Sequence, residues 1–137
     1  RINEFVSQGS VSSYILSNYY ARKLDMQTTG NAGGVHNLDI IAPETSHADL
    51  LKQMNTGLLV TELMGQGVNA VTGDYSRGAS GFWVENGEIL YPVDELTIAG
   101  NLKDMLLNIV AIGDDVDMRG NIRAPSILLD AMTIAGQ

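Results

Sequence analysis

The alternation of apolar and polar positions is clearest between Phe82 and Tyr91, where FWVENGEILY sets two runs of β-forming residues around Asn86-Gly87. That dipeptide suits a type I′ turn, which needs positive φ at both central residues, so the stretch predicts a two-residue hairpin. Its register pairs Glu85 with Glu88, Val84 with Ile89, Trp83 with Leu90 and Phe82 with Tyr91. Alternation then places Phe82, Val84, Ile89 and Tyr91 on one core face. The other face carries the two glutamates near an exposed turn. Trp83 and Leu90 lie further in on that face, as either a second buried layer or a contact surface.

Shorter patterns flank this hairpin. Ile2 to Val6, a Gln8-Gly9 turn and Val11 to Leu16 predict a first hairpin, and Ser17 is placed to cap a helix through NYYARKLDM. The glycine-rich run from Gln27 to Gly34 lacks the following Lys-Ser or Lys-Thr of a P-loop, and no helix pattern opens behind it. It reads as a loop packed closely against another backbone. Val35, Leu38, Ile40 and Ile41 make a strand that stops at Pro43. Ser46 caps HADLLKQM, whose Leu50, Leu51 and Met54 recur at helical spacing, and Gly57 ends that helix. LLVTEL, VNAVTG and ELTIA read as strands. Asn101 caps LKDMLLNIV, with Leu102, Met105, Leu106 and Ile109 in one stripe, and PSILLDAMTIAG closes the chain as a strand. The string TIAG occurs at Thr97–Gly100 and again at Thr133–Gly136, ending strands in a similar way. About eight or nine strands and three short helices joined by tight turns define an α+β fold, mostly antiparallel, with a curved sheet that could close toward a barrel.

Composition narrows the function classes. A chain of 137 residues with 45% hydrophobic content holds one core and is expected to form a single domain over residues 1–137. Eight basic against sixteen acidic residues give a net charge of -8, which argues against nucleic-acid binding, since phosphate affinity needs clustered Lys and Arg. No apolar run approaches the roughly 18 residues of a membrane helix. The absence of cysteine rules out disulfides, thiolate metal sites within these residues and a cysteine nucleophile, and it suits the cytoplasm. The first residue is Arg1, so the chain is expected to be the C-terminal portion of a larger protein.

Candidate chemistry is sparse. Asp74, Ser76, Ser80, His36 and His47 are the residue types of a hydrolase triad, but no G-x-S-x-G elbow presents a serine. His36 reads as a polar side chain at a loop-to-strand junction and His47 as one just inside a helix start. The two histidines lack the i, i+4 pairing of a zinc helix. Asp114, Asp115 and Asp117 partly match a calcium loop, yet Arg119 stands where a ligand is needed and no glutamate closes it, so they read as a solvated acidic turn. No catalytic or metal-binding residue is assigned. The one polar stretch singled out is Asp74-Tyr75-Ser76-Arg77-Gly78-Ala79, taken as an exposed connection between strands. Asp74, Ser76 and Arg77, with Trp83, are candidates for substrate or partner contact. The competing reading is an internal Asp74–Arg77 pair that holds the loop.

Three stretches carry a family resemblance: YYARKLDMQTTGNAGGVHN, the long run TGLLVTELMGQGVNAVTGDYSRGASGFWVENGEILYPVDELTIAGNLKDMLLNIVAIGDD, and PSILLDAMTIAGQ. Together they resemble the C-terminal region of the PmbA/TldE arm of the TldD/PmbA family, proteins also named modulators of DNA gyrase. The resemblance implies a cytoplasmic protease system in which a TldD-like and a TldE-like subunit associate as a heterodimer. Its implied substrates are peptides or small unfolded proteins, including peptide-antibiotic precursors and an antitoxin. In the TldD arm a zinc-type metal is held by two histidines of a His-Glu-x-x-x-His helix and a cysteine near the C-terminus. The His-Glu-x-x-x-His helix is expected upstream of Arg1, so only the absence of cysteine from this chain bears on the metal, and Gly33-Gly34-Val35 stand where the TldD arm has arginines after a Gly-Asn-Gly turn. The resemblance therefore implies the non-catalytic partner, with no cofactor of its own, and a homo-oligomer remains open to it in isolation. A self-sufficient metallopeptidase with ligands outside these residues and a non-proteolytic adaptor are the alternatives.

Overall fold

The computed structural model describes residues 2–41 and 45–136. The predicted stop at Pro43 and the reading placed on Arg1 lie outside the described residues. In chain order the elements are β1 (Val6–Ser7), β2 (Ser10–Val11), α1 (Asn18–Lys23), β3 (Leu38–Asp39), α2 (His47–Met54), β4 (Gly57–Met64) and β5 (Asp74–Glu85). Then follow β6 (Glu88–Asn101), α3 (Leu102–Leu107), β7 (Ile109–Ile112), β8 (Ile122–Arg123), β9 (Ile127–Leu129) and β10 (Thr133–Ala135). Contacts divide the chain into two units, Arg1–Asp39 with Arg119–Arg123, and Ile40–Met118 with Ala124–Gln137.

In the first unit the predicted hairpin forms in minimal length, turning through Gln8 and Gly9 at φ 48° and 77°. Ser17 caps α1, its Oγ accepting from Tyr20 N at 3.5 Å. The glycine-rich loop is not pressed against a backbone: a Cβ at Gly30, Gly33 or Gly34 meets nothing within 4 Å. Glycine serves instead for the positive φ of Gly30 and Gly34, and the loop is tied to Leu16, whose N donates to Thr29 Oγ1 at 2.8 Å. The predicted strand over 35–41 shrinks to β3, which pairs parallel with β8, Asp39 opposite Arg123.

The second unit is built on a four-stranded antiparallel sheet in the order β10-β6-β5-β4. It has open edges at β10 and β4 and does not close into a barrel. Ser46 caps α2, accepting from Asp49 N at 3.1 Å, and Asn55 at φ 62° ends it, so Gly57 opens β4 rather than closing the helix. The β5–β6 hairpin turns at Asn86-Gly87 as predicted, and Glu85 and Val84 oppose Glu88 and Ile89. Beyond them a bulge leaves Leu90 unpaired and brings Tyr91 opposite Trp83 and Pro92 opposite Phe82. The expected core face therefore splits. Val84 is fully buried, while Ile89 and Tyr91 are half exposed.

Other segments differ from expectation for local reasons. VNAVTG is not a strand, because Asn69 folds 69–73 into a turn and only Val68 bridges Tyr75. ELTIA is continuous with β6, and LKDMLLNIV stops being helical at Leu107 because Ile109–Ile112 pair with β9. The terminal strand is interrupted at Asp130, whose N donates to Asn108 O at 2.9 Å. The two TIAG strings pair with each other: Thr133 opposes Ala99, Ile134 opposes Ile98 and Ala135 opposes Thr97. Leu50, Ala79, Val84 and Ile98 are the buried hydrophobics of this unit among the described residues.

Candidate functional site

The stretch expected to be a polar connection is the opening half of β5. It is extended because it is hydrogen-bonded on both sides, to β6 through Asp74–Asn101, Tyr75–Gly100 and Ser76–Ala99, and to the 67–69 segment through Ser76 N on Gly67 O at 2.7 Å. Alternation along a strand then separates the candidates: Asp74 and Ser76 share the exposed face, and Arg77 lies on the opposite one with Tyr75 and Ala79.

Asp74 does not pair with Arg77. Its Oδ2 accepts from Thr72 Oγ1 at 2.8 Å and its Oδ1 from Asn101 Nδ2 at 3.4 Å. Asn101 also donates to Thr72 O at 3.0 Å and caps α3 by accepting from Lys103 N at 3.1 Å. Asp74 is thus part of the device that fixes the turn and the α3 start. Trp83 is half buried, its Nε1 donating to Glu85 Oε1 at 3.0 Å. Asp74, Ser76, Arg77 and Trp83 do not converge on one point.

Sequence reading missed a second grouping. A cavity of about 520 Å³ lies between α2, the start of β4 and the β9–β10 segment, lined by Leu50, Met54, Leu58, Ile98 and Leu128 with His47 and Ser126 among its polar groups. Behind Ser126 stands Asp115, which accepts from Ser126 Oγ at 2.6 Å and from Ser126 N at 3.0 Å. Burial pushes the Asp115 carboxyl up, but the two Ser126 bonds, its own backbone N–H and the nearby His47 outweigh that and hold it below its ordinary value. No spacing motif links three residues so far apart in the chain, so nothing in the sequence signals the group.

A depressed carboxyl stabilises the fold above its unfolded pKa and loses that contribution as pH falls through the lowered value, here below about pH 4. Ser126→Ala is expected to raise the Asp115 pKa toward the ordinary value, read by NMR titration of the carboxyl carbon. An unmoved titration would show that the serine does not set it.

Among the described residues no three His, Asp or Glu side chains group to hold a metal ion, and the chain has no cysteine. His36 and His47 fall in different units. These donors do not fit the tetrahedral nitrogen, sulfur and carboxylate set of a catalytic zinc. Among the described residues no helix is long and apolar enough to cross a membrane.

Among the described residues, an open antiparallel sheet with three short helices defines an α+β fold. Residues 1–136 match the model of the PmbA/TldA metallopeptidase C-terminal domain, and the chain belongs to that family. It is 58% identical to Metalloprotease PmbA of Escherichia coli O157:H7, over 98% of this chain and 30% of that protein. Against the Metalloprotease PmbA homolog of Haemophilus influenzae identity is also 58%, over 97% and 30%. A Metalloprotease TldD homolog of Buchnera aphidicola is 21% identical, over 98% and 33%. Among solved structures, a Thermotoga maritima protein described as a modulator of a DNA gyrase superposes with a TM-score of 0.86 at 38% identity, over 95% of this chain and 32% of that one. The chain thus spans about a third of the length of the relatives it matches.

Proposed function

We propose that this chain belongs to the non-catalytic, TldE-type subunit of a cytoplasmic metalloprotease, a heterodimer whose zinc-type metal is carried by a TldD-like partner. The substrates are peptides or small unfolded proteins, peptide-antibiotic precursors and an antitoxin among them. The observation that carries this reading is the gradient of identity, 58% to Metalloprotease PmbA against 21% to a TldD homolog. The lack of cysteine in this chain, where the TldD arm carries one near its C-terminus, supports the same assignment. The sheet contributes peptide-facing and partner-facing surface, with Asp74, Ser76, Arg77 and Trp83 as the named contact candidates.

Elemental analysis and cleavage assays on the full-length protein test it. The expected result is no stoichiometric metal and no cleavage of an unfolded peptide until a TldD-type subunit is added. Stoichiometric zinc with cleavage by the protein alone would replace this reading with a self-sufficient metallopeptidase. Co-purification with a TldD-type subunit that never yields cleavage would favour an adaptor.

A further inference from the structure

Two cationic side chains among the described residues are drawn in to half-buried positions, Arg77 and Arg123. In both, Nε is shielded from solvent and has no hydrogen-bond acceptor. Arg123 still meets an acid, its Nη1 lying 3.4 Å from Asp39 Oδ1. Arg77 meets none among the described residues: Asp74 is engaged by Thr72 and Asn101, and the Arg77 Nε has no acceptor.

Its placement explains the shielding. Arg77 shares a strand face with Ala79, which is fully buried, and stands opposite Ile98, which is nearly so. On the outer side β4 pairs with β5 as far as Met64 opposite Gly78, and the chain re-engages at Gly67 O with Ser76 N. Arg77 therefore falls in register with the Gly65-Gln66-Gly67 turn, where a Cβ on Gly65 meets nothing within 4 Å. The cation sits at the rim of the apolar layer, beside a flank that is mostly backbone.

Only Nε is shielded in this way, and leaving its N–H away from water without an acceptor costs free energy. Among the described residues no acidic side chain is paired with Arg77. The planar fork of Arg matches a carboxylate through two parallel N–H···O bonds, which a lysine does not reproduce. Resting on the reading of this chain as part of a peptide-handling subunit, we propose that Arg77 is a carboxylate-binding site for peptides. The carboxylate comes either from the peptide C-terminus or from an Asp or Glu side chain.

Fluorescence anisotropy on the full-length protein, with a TldD-type subunit held metal-free by a chelator so that no peptide is cut, tests this with three Ala/Gly peptides carrying an uncharged dye at the N-terminus. One has a free C-terminus, the second a C-terminal amide, and the third the amide with one internal glutamate. At least one carboxylate-bearing peptide is expected to bind about tenfold or more tightly than the plain amide. That preference should vanish in Arg77→Gln and survive only in part in Arg77→Lys. Preference for the free acid alone assigns the C-terminus, and recovery by the internal glutamate assigns a side chain. Equal binding of all three peptides by the unaltered protein, binding of none, or a preference retained in Arg77→Gln overturns the proposal. The comparison of peptides on unaltered protein does not depend on any variant folding. Because the assay reads binding without cleavage, its failure leaves the subunit assignment to the metal and cleavage measurements.

Discussion

Gly81→Ala is expected to lower the thermal midpoint by more than about 10 °C, corresponding to a loss on the order of 3 kcal/mol or more. A Cβ at this position runs into the carbonyl oxygen of Leu59 and lies 2.9 Å from its carbon and 3.1 Å from Val60 Cα. All three atoms are backbone of β4, so none can swing aside as a side-chain tip does. Relief requires moving β4 off β5, which breaks the ladder between Gly57–Met64 and its partner. Gly33→Ala is the control, since a Cβ there meets nothing within 4 Å. Equal melting of the two variants would show that the β4–β5 approach yields more easily than its geometry implies.

The second large effect separates two copies of one string. Ile98→Ala is expected to cost about 2–5 kcal/mol, because it removes a side chain from a close-packed layer and leaves a cavity. Ile134→Ala is expected to cost less than about 1 kcal/mol. The two isoleucines occupy the same place in TIAG and face each other across β6 and β10. Ile98 is 6% exposed and flanked on both sides, whereas Ile134 is 44% exposed on an edge strand. Chemical denaturation of both variants measures the difference, and equal losses would contradict this account of the core.

The features legible in the sequence were those set by neighbouring residues. Ser17, Ser46 and Asn101 each cap the helix predicted for them, and Asn86-Gly87 turns the hairpin, because a side-chain oxygen or a positive φ acts within a few residues. Partnership across the chain was not legible. The bulge at Leu90, the parallel pairing of β3 and the strand at Ile109–Ile112 each depend on residues far away in sequence. The same limit applies to the site. Asp74, Ser76 and Arg77 stand out as polar groups between glycines, but strand parity, which sends Arg77 to the opposite face, follows only once β6 and the 67–69 segment are known to pair there. The group of Asp115, Ser126 and His47 leaves no local mark at all.

The parallel pair of β3 with β8 has a consequence for the order of folding. Asp39 and Arg123 are 84 positions apart, and joining them in an unstructured chain costs about 4 kcal/mol of closure entropy. Two residues per strand return little against that cost. Once the segment between them has collapsed, the span to be closed is far shorter. The pair is therefore expected to close late, after contacts of shorter sequence separation have formed.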